Sequence, residues 1–172
     1  MFESSQDLIT FIRDFSNLAN PPYKEPYLDE GILDNLERKL GKTLPLVFRK
    51  WLLLCNFDNL QLGTTMFGDG KGDFLDYVLA SNTDIREHLK IASGEMGGIF
   101  ISLKSGAVWS QYLDGEAIIQ TKLAANFEGF FKGYAYLQKN GLEKIISLEE
   151  AAMAVAKKVG SDNYQVWLHS MN

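Results

Sequence analysis

The sequence contains a single cysteine, Cys55, and only two histidines, His88 and His169, among its 172 residues. One thiol cannot form an intramolecular disulfide, which excludes the class of small secreted domains held together by disulfides. The cysteine and the histidines have no spacing typical of a zinc site, so no metal bound through nitrogen or sulfur is indicated. We therefore expect a cytoplasmic protein without a metal or another cofactor.

Long apolar runs are also missing. The longest, residues 151–156, falls far short of the ~20 residues that a membrane-spanning helix requires. Residues 1–7 are acidic and polar, whereas a secretory signal begins with a basic stretch followed by an apolar one. The sequence thus predicts a protein that neither is exported nor enters a membrane.

Positive charge is in short supply, because 17 lysines and arginines face 22 aspartates and glutamates, for a net charge of -5. A protein that binds nucleic acid through the phosphate groups, and so releases their counterions, needs more basic than acidic residues. Nucleic acid is therefore not expected to bind directly. An acidic surface suits a basic protein partner, although a net negative charge of this size is also common in proteins that are simply soluble.

The rest of the composition is that of an ordinary globular protein, with 46% hydrophobic and 23% charged residues. No internal repeat, low-complexity tract or long linker divides the chain, which predicts a single domain over residues 1–172. Neither the sequence length nor the composition indicates an oligomeric state.

Three helices are predicted in the first third of the chain, over residues 4–18, 28–40 and 44–55. Ser4 and Asp7 form a possible capping box for the first, and Gly41 takes a C-cap position after the second. The third begins near Pro45 and carries a buried stripe that includes Cys55. We expect the second and third helices to pack on each other through the following core residues: Leu36, Leu40, Phe48, Trp51 and Leu52.

A sheet is predicted for the middle of the chain. Glycines interrupt the helical periodicity after residue 58, and residues 82–89 are interpreted as a short helix. Residues 98–103 and 107–112 have the pattern of a β-hairpin with Gly106 in its turn, and residues 117–122 follow as a third strand. An antiparallel meander of this kind predicts an α+β fold, in which helices flank a central antiparallel sheet.

The last third is predicted to be helical again. Asn126 caps a helix with aromatic residues on one face, which Asn140 and the glycine after it are expected to end. Ser147 and Glu150 form a second capping box, ahead of a helix in a C-terminal extension over residues 142–172. Residues 164–169 show no clear preference.

The sequence contains few patterns that are typical of catalytic sites. No G-x-S-x-G elbow is present, and the glycine-rich residues 68–73 lack the spacing of a phosphate-binding loop or an EF-hand. The carboxylate pairs Asp114 with Glu116 and Glu149 with Glu150 are explained by a turn and by a helix N-terminus. Binding of a macromolecule is therefore favoured over catalysis, and an enzyme with a dispersed carboxylate site is the least favoured alternative.

Several short segments resemble the SUKH superfamily when they are taken in order. The first is Ile32-Leu33-Asp34-Asn35-Leu36-Glu37-Arg38-Lys39-Leu40-Gly41-Lys42-Thr43-Leu44-Pro45, which runs into Phe48 and Trp51. Residues 88–92, 97–103, 106–109 and 124–131 continue the resemblance, which covers about residues 28–138. Where many members have an asparagine-glycine-glycine turn, this chain has Asn56-Phe57-Asp58-Asn59.

The resemblance implies an α+β domain that serves mostly in bacteria as an immunity protein, binding and neutralising a cognate toxin that is often a nuclease. Some fungal relatives resemble regulators of cell-wall synthesis and signalling, which leaves a regulatory interaction module as the alternative. The family has no established catalytic residues. It therefore implies a non-enzymatic function through a protein partner.

A provisional partner surface follows from charge. A nuclease toxin carries a basic groove for its substrate, so an acidic inhibitor surface would be steered to it and would bind more weakly as salt rises. The predicted surface consists of Asp69, Asp73 and Asp76, with contributions from Tyr112, Asp114 and Glu116. The alternative is that Tyr112 pairs within the sheet and that the three aspartates only keep a loop soluble.

Overall fold

The computed structural model describes residues 1–16, 23–70, 72–83, 87–95 and 97–171. Within those ranges the chain forms seven helices and six strands, an α+β arrangement in which helices flank a central sheet. The helices are α1 Ser5–Ser16, α2 Glu30–Leu40, α3 Leu46–Leu54, α4 Phe74–Ser81, α5 Phe127–Glu143, α6 Leu148–Val159 and α7 Tyr164–His169. The strands are β1 Gln61–Leu62, β2 Thr65–Phe67, β3 His88–Gly94, β4 Gly97–Ser102, β5 Val108–Asp114 and β6 Ala117–Ala124.

The helix ends follow the local capping signals. The side chain of Asp29 accepts a hydrogen bond from the Ile32 backbone nitrogen at the start of α2, and Gly41 ends that helix with a left-handed φ of 64°. At α6, Ser147 and Glu150 make both hydrogen bonds of a capping box. The predicted C-cap of α2 and the predicted capping box of α6 are therefore confirmed, whereas the N-cap Asp29 was not predicted.

The six strands form one antiparallel sheet in the sequence order β1 to β6. The predicted hairpin is the β4–β5 pair, in which Phe100 lies opposite Trp109, and Gly106 takes a φ of 73° in its turn. The predicted third strand is β6, which pairs with β5. The central antiparallel meander is thus confirmed.

Alternation along the strands gives the sheet two different faces. The inner face points toward the helices and contributes fully buried side chains such as Leu89, Ile101 and Val108 to the core. The opposite side, here called the outer face, carries Phe100 and Trp109, which lie outside the core cluster. Its further residues on β3 to β6 are His88, Lys90, Ser93, Gly98, Gln111, Leu113, Ile118, Gln120 and Lys122.

The core is rich in aromatic rings that join helices to the sheet. Phe48 on α3 and Phe127 on α5 have ring centroids 4.7 Å apart, and Trp51 meets Phe131 at 5.2 Å. Such edge-on contacts add to the stabilisation from burial. Of the predicted core residues, Leu36, Phe48, Trp51 and Leu52 are buried, whereas Leu40 is only partly buried.

The structure corrects several predicted elements. Residues 82–89 are not a helix: Asn82 follows the end of α4 and β3 begins at His88, while residues 84–86 lie outside the described residues. Both α4 and α7 fall in stretches without a helix prediction. The helix expected to stop at Asn140 continues to Glu143, because Lys144 takes the left-handed conformation at its end. Residues 17–22, which hold the predicted end of the first helix, also lie outside the described residues.

Candidate functional site

The candidate site is built around Asp58, in the segment that leaves α3. One carboxylate oxygen of Asp58 accepts hydrogen bonds from the backbone nitrogen of Phe74 at 2.8 Å and from the Tyr27 hydroxyl at 3.2 Å. Phe74 is the first residue of α4, so the carboxylate lies at the positive end of that helix. Asp58 therefore links the connector before α2 to the start of α4.

The backbone around Asp58 is held by Asn56, whose side chain is 5% exposed. Its amide oxygen accepts from the Asp58 backbone nitrogen at 2.8 Å, and its amide nitrogen donates to the Glu25 carbonyl at 3.1 Å. Two residues on from Phe57, Asn59 adopts a φ of 58°, a conformation that asparagine tolerates better than most residues. Asn59 thus supplies the positive φ that this turn requires.

A groove of about 170 Å³ lies between α2 and α4, beside this segment. Leu36 on α2 and Leu79 on α4 contribute to its apolar lining. Asp73, the N-cap residue of α4, and Asp76 in the first turn make one wall acidic. We call this feature the acidic groove; Tyr27, Asp73 and Asp76 line it, and Asp58 lies behind Tyr27, whose hydroxyl it binds.

Electrostatics at the acidic groove are dominated by carboxylates. Partial burial and the negative charges of Asp58, Asp73 and Asp76 raise the pKa of Tyr27 above its ordinary value, so the phenol stays neutral. Among the described residues that line the groove, Lys39 is the only cation. Tyr27 remains 44% exposed and presents an aromatic ring next to this negative surface.

A second group of acids lies on α2, on the side that faces Arg49 of α3 rather than the groove. Glu30, Asp34 and Glu37 all contact the guanidinium of Arg49 on α3, which leaves an excess of negative charge. Glu37 is the best anchored of the three, because its carboxylate also accepts from the backbone nitrogen of Leu44 at 2.7 Å. Glu37 therefore holds the end of α2 against the segment that leads into α3.

The structure divides the predicted partner residues between two places. Asp69 is exposed just after β2, at the end of the sheet where β3 begins, and Asp73 and Asp76 lie at the N-cap and in the first turn of α4. Asp114 and Glu116 are exposed at the β5–β6 turn, which lies at the opposite end. β3 and β4 also separate β2 from β5.

Tyr112 does not join either acidic group through an exposed ring. It lies opposite Ile119 on the inner side of the β5–β6 hairpin and is partly buried, as the alternative of pairing within the sheet requires. Tyr27 and Asp58 were not recognised from the sequence. They are 31 positions apart, and no local pattern indicates that the tyrosine hydroxyl meets the carboxylate.

Among the described residues that line the acidic groove there is no cysteine and no histidine. Cys55 is 1% exposed, and burial raises the pKa of its thiol to about 12. It lies one residue beyond the end of α3 rather than on the helix itself. Over the part of the chain that the structure describes, no group of three or more histidine, cysteine, aspartate or glutamate side chains is placed to hold a metal ion.

Comparisons with known proteins give no match, since neither a family model nor a curated protein is similar to this chain. The helices within the described ranges include none that combines the length and apolar character needed to cross a membrane.

Proposed function

We propose that this chain is a non-enzymatic, cytoplasmic immunity protein that neutralises a toxin by binding it through the acidic groove. The supporting observation is the groove itself, where three carboxylates surround an aromatic ring that is 44% exposed. Tyrosine is enriched among the residues that dominate binding energy at protein interfaces. The resemblance to the SUKH superfamily supplies the expected class of partner.

The proposed partner is a basic protein, such as the substrate groove of a nuclease toxin. Asp58, Asp73 and Asp76 would attract that surface over long range, and Asp69 extends the charge from the adjacent turn. Tyr27 would pack against the partner at short range, with its neutral hydroxyl retained by Asp58. Such an arrangement favours fast association that slows as salt screens the charges.

The first experiment identifies the partner. The product of the open reading frame directly upstream is expressed alone and together with this chain, and growth is compared. We expect the product to be lethal alone and tolerated with the chain. A product that is harmless alone removes the immunity function and leaves the regulatory interaction module as the function to test.

The second experiment locates the interface with the identified toxin. In the Asp69→Asn, Asp73→Asn, Asp76→Asn variant we expect an association rate reduced by about tenfold at low salt, and a weaker salt dependence. The matched control is Asp114→Asn, Glu116→Gln, which removes charge at the other end of the sheet. Equal rates for the parent protein and the groove variant would contradict the proposed surface, and a defect in the control alone would move it to the β5–β6 turn.

Tyr27→Ala and Tyr27→Phe separate packing from hydrogen bonding. Loss of the ring should increase the dissociation rate, whereas loss of the hydroxyl alone should have a smaller effect because the ring is kept. Circular dichroism melts of both variants check that α4 still forms, since Asp58 also binds the Phe74 nitrogen.

A further inference from the structure

The outer face of the sheet carries a row of four side chains that run across the strands. Phe100 lies opposite Trp109, and Lys90 and Lys122 extend the row on its two sides. A Cβ atom added at Gly98 would come within 2.5 Å of the Phe100 ring, so the ring lies along the strand, over the glycine. The result is a flat aromatic surface between two lysines.

Charge on this face changes sign along the strands. Lys90 and Lys122 lie toward the end where β3 begins, and no ion pair among the described residues includes either ammonium group. Exposed acids occupy the turns at the other end, at Glu95, Asp114 and Glu116. The middle row is uncharged and consists of Ser93, Gly98, Gln111 and Gln120.

The acidic end also carries an exposed apolar pair. Leu113 and Ile118 lie directly opposite each other on β5 and β6, and they are 72% and 65% exposed. Trp109 and Leu113 are equally far along β5 from Gln111, on either side of it. The face is therefore laid out symmetrically about its middle row, with an aromatic and basic half and an aliphatic and acidic half.

We propose that the outer face binds a second copy of this chain, with a two-fold axis that crosses the strands along the middle row. The symmetry places Trp109 against Leu113 of the second copy and Lys122 beside its Ile118 and Glu116. Each contact occurs twice, as a two-fold interface requires. Sheets stacked in this way pack about 10 Å apart with their strands nearly aligned.

Charge selects this arrangement over the other two-fold stacking. An axis parallel to the strands would place Lys90 of one copy over Lys122 of the other, and like charges across an interface are costly. Charge also favours a second copy over nucleic acid, because a nucleic-acid strand along the face would place phosphates beside the carboxylates of Asp114 and Glu116, which repel them. A second copy satisfies both halves of the face at once.

The size of the face predicts a weak dimer. Four strands spaced ~4.8 Å apart, each with about six residues of ~3.3 Å rise, cover roughly 400 Å² per copy. Stable complexes typically bury about 800 Å² per partner, so a face of half that area is expected to dimerise only weakly. Association is thus expected only at high local concentration.

The test uses the intact chain in sedimentation equilibrium from ~10 µM to ~1 mM at low salt, where we expect reversible monomer–dimer behaviour. Trp109 gives an independent signal, because the other two tryptophans, Trp51 and Trp167, are fully buried. Acrylamide quenching of the fluorescence should decrease as the dimer forms. A chain that stays monomeric over this range overturns the proposal. This holds even if oligo(dT) or another protein protects Trp109 from acrylamide quenching.

A charge swap tests the axis itself. Lys122→Glu and Glu116→Lys should each weaken the dimer about tenfold, because each creates two like-charge contacts. The double variant Lys122→Glu, Glu116→Lys restores opposite charges and should return the affinity to within about threefold of the parent protein. Lys157→Glu is the control, since Lys157 is exposed on α6 and its variant should dimerise normally. A double variant as weak as the single ones overturns the proposed axis, provided that thermal melts show all variants folded.

Discussion

The hydroxyl of Tyr23 donates a hydrogen bond to the Cys55 sulfur at 3.7 Å and accepts one from the Asn56 backbone nitrogen at 3.1 Å. The only thiol of the chain is therefore covered by a ring from the connector before α2. Burial raises the pKa of the thiol to about 12 and also raises the pKa of Tyr23. Neither group is ionised in the folded protein at neutral pH.

Cys55 is consequently expected to react slowly with thiol reagents. Alkylation needs the thiolate, which burial suppresses, and it needs access, which a 1% exposed side chain does not offer. Labelling with iodoacetamide at pH 8, followed by mass spectrometry, should be much slower in the native protein than in the same protein unfolded in urea. Equal rates in both states would contradict the burial of Cys55.

Alkaline pH is expected to destabilise the fold. In the unfolded chain the thiol ionises near its ordinary pKa of about 8.5, whereas in the folded protein its pKa is raised to about 12. Stability is therefore fully present below about pH 8.5 and is lost as the pH rises toward 12, because only the unfolded state gains charge. Urea unfolding at a series of pH values measures this slope, which should be shallower in Cys55→Ala.

Trp51→Ala should lower the free energy of unfolding by about 3–5 kcal/mol, because it removes a large buried ring that packs at 5.2 Å from Phe131. Trp109→Ala is the matched control, since Trp109 lies on the outer face and is only partly buried. Its cost should be clearly smaller in dilute solution. Denaturant unfolding of both variants gives the comparison, and equal costs would contradict the assignment of the core.

Local signals explain why much of the fold was predictable. The α2 helix has its apolar stripe, its acidic cap and Gly41 within one short segment, and the β4–β5 hairpin has alternation and a turn glycine. The β3 strand was misassigned because a register shift between Lys90 and Ala92 breaks its alternation, so Ile91 and Ala92 are both buried. Period two is not visible across such a bulge.

Non-local contacts explain what was missed. The first backbone nitrogen of α4 is bonded by Asp58, which lies 16 residues earlier, so no local cap precedes that helix. Asp73 and Asp76 were chosen from the sequence for their charge. Their separation from Asp114 and Glu116 depends on the register of the whole sheet, which no short motif contains.

The last prediction compares two glycines of the same helix, α5. A Cβ at Gly133 would come within 2.8 Å of Val155 and 2.9 Å of Trp167, whereas a Cβ at Gly141 would meet nothing within 4 Å. Alanine is the better helix former by about 1 kcal/mol, so it should stabilise the protein by about 0.5–1 kcal/mol at Gly141. At Gly133 the overpacking cost of about 1–3 kcal/mol exceeds that gain.

Gly133→Ala should therefore lower the melting temperature, and Gly141→Ala should raise it slightly. Both changes add one methyl group to the same helix, so helix propensity alone predicts a gain for both variants. Thermal melts under identical conditions separate the two effects, because only the close approach of α6 and α7 to Gly133 reverses the sign. A gain at both positions would mean that these helices do not pack as closely against α5 as Val155 and Trp167 indicate.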